Sequence, residues 1–209
     1  MPVEVNPEET SRAIAYELWM QEVLGKSAER NIRIEEAVMK ELAVYIHGKG
    51  GSAGESEHIK PLFPECEVVG LDYRTFTPWE TGKEIREAVT KLKAEYDSIV
   101  LIANSIGAFF SMNAGIDAMI RRAYFISSVV DMEQLILNMM SWEYLCYVRE
   151  HPVSWAVPTR ILYGSRDNLT PYETISAFAK AHNAELTVWK MESIGSIRMN
   201  RCGFWIIGS

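Results

Sequence analysis

A run of apolar residues over positions 99–103 leads directly to Ser105 and then to a segment able to form a helix. Small residues flank the serine, with Ala103 two positions before it and Gly107 two positions after it. Strand and helix backbones come closest at such a turn, so a larger side chain at either position would clash. The pattern predicts a buried strand, a sharp turn that lifts the Ser105 hydroxyl clear of the sheet edge, and a helix. This is the layout of a nucleophile elbow, although its general form has glycine where Ala103 stands.

Other apolar runs have the length and spacing of short strands, with helical stretches between them. We predict a helix over residues 83–96 and six strands, over residues 43–47, 66–72, 98–103, 122–128, 159–163 and 185–190. Alternation at this spacing implies right-handed crossovers and a mostly parallel sheet. The predicted class is α/β, a three-layer α/β/α sandwich around about six strands.

The length of 209 residues and the 48% hydrophobic content predict a single domain over residues 1–209. Asn6, Pro7 and Glu9 have the order of a helix start, and apolar residues then recur at helical spacing. We therefore predict a helix over residues 7–25, within a helical N-terminal extension of residues 1–40.

Residues 131–155 interrupt the strand–helix rhythm with methionine and aromatic side chains. One interpretation is a small cap over an acyl-binding pocket, because such side chains suit an adaptable apolar surface. Met132, Met139 and Trp142 are then the candidate pocket residues. The other interpretation is a crossover helix whose apolar face belongs to the core, and apolar periodicity does not separate the two.

Charge and cysteine content exclude several classes of function. A net charge of −7 argues against nucleic acid or an anionic membrane surface as a partner. No stretch of about 18 apolar residues and no leader-like start is present, so we expect a cytoplasmic protein without membrane contact. The three cysteines form no CxxC pair, which argues against a disulfide framework or a zinc site. We expect no metal and no cofactor, and the sequence predicts no oligomeric state.

A serine nucleophile needs a base, an orienting acid and donors for the developing oxyanion. The glycine-rich loop 47–52 follows the first predicted strand, and its glycines let the Lys49 amide point at a reacting carbonyl oxygen. The Ile106 amide would be the second donor. A phosphate-binding loop is the alternative, but that motif needs Ser or Thr after its lysine, and here Lys49 precedes Gly50.

Asp167 lies in the loop that follows the fifth predicted strand. Carboxyl ends of parallel strands share one sheet edge, so its carboxylate would lie at the same edge as Ser105 and could orient an imidazole. The alternative is that Asp167 caps a helix beginning near Pro171.

The glycine-rich loop, the Ser105 turn and the Asp167 loop occur in this order, each at a strand end. In this respect residues 41–191 resemble the α/β-hydrolase superfamily, particularly its small single-domain esterase and lipase-like members. The resemblance implies that Ser105 is the nucleophile, Asp167 the triad acid, and Lys49 and Ile106 the oxyanion amides. It also implies an acyl-enzyme resolved by water, with a small carboxylic ester or thioester as the substrate.

The chain departs from this family at both ends. The two antiparallel strands that open the family's sheet are not evident before residue 41, so the sheet is reduced there unless residues 31–34 add an edge strand. The triad histidine is expected shortly after the last strand, yet residues 191–196 contain none. The four histidines, His47, His58, His151 and His182, all precede that strand.

The tail over residues 193–209 is atypical, because it lacks the closing amphipathic helix. We wrote plausible codons for residues 192–209 and translated them again in a shifted frame, starting from the third base of the Glu192 codon. The shifted frame encodes EHWFHTDEQMRFLDNWI, which has the family's histidine loop followed by a terminal helix. Met199 and Trp205 have one codon each. The last base of each codon, joined to the first two bases of the next codon, therefore encodes an acidic residue in the shifted frame whatever codons are chosen elsewhere. We hypothesise a frameshift just before Ser193; the alternative is a genuinely divergent tail.

Without a base, we expect a serine hydrolase with severely impaired activity. The alternative is a noncatalytic protein of the same fold that binds a ligand or partner.

Overall fold

The computed structural model describes residues 39–133, 142–165, 167, 169–189, 197–199 and 205–207. Its main sheet has six strands: β1 (Glu41–Ile46), β2 (Glu67–Leu71), β3 (Ser98–Asn104), β4 (Arg122–Ile126), β5 (Thr159–Gly164) and β6 (Glu185–Trp189). All neighbouring strands are parallel, in the order β2-β1-β3-β4-β5-β6. The predicted α/β class and the number of strands are confirmed, and each predicted strand end lies within two residues of the observed one.

Helical segments connect the strands, as is usual for crossovers between parallel strands. They are α1 (Pro78–Lys93), α2 (Ile106–Asn113), α3 (Trp142–Glu150) and α4 (Tyr172–Ala181), with short 3-10 helices at Ala53–His58, Lys60–Leu62 and Asp117–Met119. Helix α1 begins five residues before the predicted start at 83, because Thr77 adopts an extended N-cap conformation and Pro78 fits the first helical position.

The sheet is apolar on both faces, and alternate residues of each strand face opposite layers. On one face, strand residues such as Leu101 and Phe125 pack with Val89 of α1, Phe109 of α2 and Ile175 of α4. The other face, which includes Tyr45, Ile102 and Tyr124, packs against three residues of the 3-10 segments that follow β1, namely Ile59, Leu62 and Phe63. These are the three predicted layers, but among the described residues α-helices form one outer layer and the 3-10 segments form the other.

The tail contributes two short strands, β7 (Ile197–Met199) and β8 (Trp205–Ile207), which pair antiparallel in a separate sheet. The predicted helix over residues 7–25, the candidate edge strand 31–34 and the loop 190–196 lie outside the described residues. Within the described ranges, no helix is both long enough and apolar enough to cross a bilayer. The same ranges contain no cluster of three His, Cys, Asp or Glu side chains suited to a metal ion.

Candidate active site

Ser105 occupies the sharp turn between β3 and α2 in a backbone conformation that few non-glycine residues adopt, with φ 52° and ψ −124°. The turn is fixed by its neighbours: the Ser105 amide donates to the Ile126 carbonyl at 2.9 Å, and its carbonyl accepts from the Val129 amide at 3.1 Å. Strained residues persist where the surrounding structure holds them, and they cluster at functional sites. The conformation is therefore that of the predicted elbow.

Gly107 permits this turn because α2 begins directly against the end of β1. A Cβ atom at position 107 would lie 2.5 Å from the His47 carbonyl oxygen and 2.9 Å from the Ile46 carbonyl oxygen. Both distances are too short for a side chain, so only glycine fits. The steric reason for a small residue at this position, predicted from the sequence, is present in the structure.

The glycine-rich loop after β1 lies beside the serine, since a Cβ atom at Gly48 would be 3.1 Å from the Ser105 Cβ. The loop turns through Gly50, whose φ is 80°, and the Gly51 amide donates to the Gly48 carbonyl at 3.1 Å. Neither the Lys49 amide nor the Ile106 amide donates a hydrogen bond to any other described residue. An oxyanion hole requires two such amides directed at one point beside the serine, and the assignment of Lys49 and Ile106 to this role stays a prediction.

Asp167 lies in the loop after β5 and is 8% exposed. Its Oδ1 accepts from the amides of Leu169, at 2.8 Å, and Thr170, at 3.4 Å. Its Oδ2 is buried and has no hydrogen-bond partner in the described part of the chain. Burial raises the pKa of this carboxyl, and the two amides oppose that shift. The helix-capping alternative does not hold, because the N-cap of α4 is Pro171.

The Asp167 loop is tied to the end of β4 and to β5. The Thr170 hydroxyl donates to the Ser128 carbonyl at 3.0 Å, and the Tyr163 hydroxyl donates to the Thr170 carbonyl at 2.9 Å. Asp167 itself is held by its amide, which donates to the Gly164 carbonyl at 2.9 Å. These bonds fix the direction of the carboxylate relative to the strand ends.

Four buried polar atoms at the carboxyl ends of β3, β4 and β5 have no partner among the described residues. They are Asn104 Oδ1, Ser127 Oγ, Ser128 Oγ and Asp167 Oδ2, and we refer to them as the strand-end cluster. Buried polar atoms are normally hydrogen-bonded, so these four atoms are candidates for contacts with a ligand, an ordered water or another part of the chain. Sequence reasoning identified only Asp167; the signal available for the others was the change from apolar to polar residues where each strand ends.

His47 follows β1 and is 3% exposed. Its Nδ1 lies 2.7 Å from the Gly48 carbonyl, its Nε2 lies 3.6 Å from Asp72 Oδ1, and its ring stacks on Tyr73. Both ring nitrogens therefore face groups other than the Asp167 carboxylate.

The other three histidines are also placed away from a triad role. His151 Nδ1 lies 2.9 Å from the Tyr147 carbonyl, and His182 Nδ1 lies 2.8 Å from the Trp155 carbonyl. His58 ends the 3-10 helix between β1 and β2. No histidine nitrogen among the described residues is hydrogen-bonded to the Asp167 carboxylate.

The three candidate pocket residues have different environments. Met132 is fully buried and lines a cavity of about 690 Å³ beside α3 and α4, together with Phe109, Val148 and Phe178. Trp142 is 73% exposed, and Met139 lies outside the described residues. Residues 142–155 also contribute buried side chains to the core, as the crossover interpretation expects, whereas the cap interpretation stays a prediction.

No protein-family model and no curated protein sequence matches the chain. Solved structures do match. Esterase 2 of Thermogutta terrifontis, phosphonylated by cyclosarin, has a TM-score of 0.57 and 18% identity over 77% of this chain and 76% of its own. An esterase of Pyrococcus furiosus has a TM-score of 0.54 and 20% identity over 74% of each chain. An epoxide hydrolase of Bacillus megaterium has a TM-score of 0.55 and 14% identity over 73% of this chain and 86% of its own. Together with the all-parallel six-stranded sheet, these similarities show that the chain has the α/β-hydrolase fold.

Proposed function

We propose that this protein is a serine hydrolase that cleaves a small carboxylic ester or thioester, and that the chain as written is impaired because its triad base is missing. One observation carries this proposal: a strained serine and a buried carboxylate with one unpaired oxygen lie at the same edge of the sheet. Two of the similar structures are esterases, which supports ester chemistry for the class of substrate.

Each residue has a defined part in the reaction. Ser105 Oγ attacks the carbonyl carbon, while the amides of Lys49 and Ile106 stabilise the oxyanion. Asp167 Oδ2 accepts a hydrogen bond from an imidazole and stabilises the imidazolium that forms when the serine proton is removed. Loss of a triad member lowers the rate by several orders of magnitude but leaves the contribution of the oxyanion donors.

The second candidate is a noncatalytic protein that binds a small molecule. It is favoured by the absence of any histidine on Asp167 among the described residues and by the cavity at Met132.

Hydrolysis of a short-chain p-nitrophenyl ester tests the proposal with three proteins: the chain as written, its Ser105→Ala variant, and a restored-tail variant carrying the shifted reading from residue 193 onward. We expect strong activity only in the restored-tail variant, and loss of that activity when Ser105→Ala is added. Fluorophosphonate labelling of Ser105 provides a second readout of an activated hydroxyl.

Other outcomes have clear meanings. Full, Ser105-dependent activity in the chain as written would show that another base serves. Absence of activity and of labelling in all three proteins would favour the binding protein instead.

A further inference from the structure

The residues that follow β1 and those that follow β2 leave the sheet side by side. The two strands are parallel, and Ile46 and Leu71 form the last pair between them. The glycine-rich loop 47–52 therefore begins next to Asp72 and Tyr73, which follow Leu71 directly. These two residues have no part in the reaction described above, yet each makes a hydrogen bond at one end of the loop.

Tyr73 holds the beginning of the loop. Its hydroxyl donates to the His47 carbonyl at 2.9 Å, and its ring stacks on the His47 ring with the centroids 4.2 Å apart. The Tyr73 ring also meets Phe110 of α2 edge-on, with the centroids 5.5 Å apart, and the residue is only 7% exposed. Burial raises the pKa of the Tyr73 hydroxyl, so this group stays protonated and remains a hydrogen-bond donor.

Asp72 holds the other end of the loop. Its Oδ1 accepts from the amide of Ala53, the first residue after the loop, at 2.6 Å, and lies 3.6 Å from His47 Nε2. The Asp72 side chain is 68% exposed, so it contributes this contact without being part of the core. Two adjacent residues therefore fix the chain on both sides of the segment that contains Lys49.

The loop needs these contacts because its own sequence does not fix its shape. Three of its six residues are glycine, which adopts many backbone conformations, and Lys49 and Gly50 are exposed. The carbonyl held by Tyr73 belongs to the peptide that leads into Gly48, where a Cβ atom would be 3.1 Å from the Ser105 Cβ. A change at this peptide therefore moves the loop relative to the serine, and a misplacement of about 1 Å can lower a rate by about 100-fold.

We propose that Asp72 and Tyr73 are positioning residues, which hold the glycine-rich loop so that the Lys49 amide stays directed at the carbonyl oxygen of the substrate. This inference rests on the proposed function, because it requires Ser105 to be the nucleophile and the loop to supply an oxyanion donor. It deepens that function by giving a part to two residues outside the serine turn and the Asp167 loop. The pair acts through the loop backbone.

The test compares two substrates in the restored-tail variant, p-nitrophenyl butyrate and its thionoester, in which sulfur replaces the carbonyl oxygen. Sulfur is a weak hydrogen-bond acceptor, so the thionoester gains little from oxyanion donors. The ratio of kcat/KM for the oxygen ester to kcat/KM for the thionoester therefore reports the oxyanion donors. This ratio does not change with the fraction of the protein that is folded, so a loss of stability alone leaves it unaltered.

Tyr73→Phe removes only the hydroxyl. Loss of a whole oxyanion donor lowers kcat by about 100-fold or more, so a donor that is merely misdirected should lower the ratio by about tenfold. The fall should come from kcat for the oxygen ester, with KM changed by no more than about twofold, because the interaction is made in the transition state. Asp72→Ala should lower the ratio in the same direction.

Tyr96→Phe is the matched control. Tyr96 is also 7% exposed, and its hydroxyl donates to the Glu67 carboxylate at the amino ends of the strands, away from the serine. This variant loses the same chemical group and one hydrogen bond, so the ratio should stay at the parental value.

An unchanged ratio in folded Tyr73→Phe protein would overturn the inference and leave the proposed function intact. An equal fall in the Tyr96→Phe control would overturn it as well, because the effect would then not depend on the loop. If Tyr73→Phe does not fold, Asp72→Ala decides the question by the same criterion, since its side chain is exposed. If the restored-tail parent hydrolyses neither ester, the proposed function fails and the inference fails with it.

Discussion

The strain at Ser105 can be measured by replacing the serine with glycine and, separately, with alanine. Both variants lose the hydroxyl, so they differ only in the Cβ atom. The φ of 52° and ψ of −124° are close to those of the first central residue of a type II′ turn, a position dominated by glycine. We therefore expect the Ser105→Gly variant to be more stable than the Ser105→Ala variant.

The magnitude follows from two opposing terms. A non-glycine residue in such a conformation is destabilised by about 1–3 kcal/mol. Glycine loses about 0.5–1 kcal/mol through its greater conformational freedom in the unfolded chain. The difference in the free energy of unfolding should thus be about 1 kcal/mol in favour of glycine at position 105.

Urea unfolding followed by tryptophan fluorescence measures this difference. Ser154 provides a matched control, because it is an exposed serine in the irregular segment between α3 and β5 and its φ is not positive. At position 154 glycine should be less stable than alanine, because glycine has the greater conformational freedom in the unfolded chain. If glycine is also the less stable residue at position 105, the elbow is not strained and the reasoning is refuted.

Three further predictions concern packing and titration. The Gly107→Ala substitution should lower the free energy of unfolding by about 1–3 kcal/mol or more, because the new Cβ would lie 2.5 Å from the His47 carbonyl oxygen. The Gly54→Ala substitution, whose Cβ would lie 3.5 Å from the nearest atom, should have little effect on urea unfolding. Burial raises the pKa of Asp167, so its ionisation destabilises the fold as pH rises from the unfolded value of about 3.9 through the folded value. The Asp167→Asn variant should accordingly gain stability relative to the parent between pH 4 and pH 7, and unfolding that shows no such gain would contradict this. Burial and the neighbouring Glu41 carboxylate raise the pKa of Cys66 to about 12, so mass spectrometry should find its peptide barely alkylated by iodoacetamide at pH 8 and increasingly alkylated above pH 10.

The strands were the most predictable part of the fold. Strands buried on both faces of a parallel sheet appear in sequence as continuous apolar runs, and each run here ends at glycine or polar residues. Ser105 and Gly107 were predictable for the same reason, since a turn between a buried strand and a packed helix restricts the size of its residues. The start of α1 was missed because Thr77 and Pro78 determine it, whereas the prediction began at the charged residues after them.

Residues 131–155 were harder to interpret from sequence. Met132 is fully buried and Trp142 is 73% exposed, although both appear as large apolar residues in the same segment. Two residues after Trp142, Tyr144 of the same helix is buried against Trp79. The side on which an apolar residue of a short helix lies depends on tertiary packing, and the sequence pattern does not contain that information.

The strand-end cluster was not predictable as a group, because its members come from three strands that are adjacent only in the sheet. Asn104 ends β3, Ser127 and Ser128 follow β4, and Asp167 follows β5. The sequence separates the first and last of these by more than sixty positions. Parallel pairing brings the strand ends to one edge, and only the structure shows that the polar atoms there are buried and unpaired.

Both features of this edge lower the stability of the protein. The Ser105 conformation is strained, and an unpaired buried carboxylate oxygen loses its hydration without a compensating bond. A site that only binds a ligand has no need of a strained serine, whereas a nucleophile requires one that is lifted clear of the sheet. The combination therefore supports the proposed hydrolase over a dedicated binding protein.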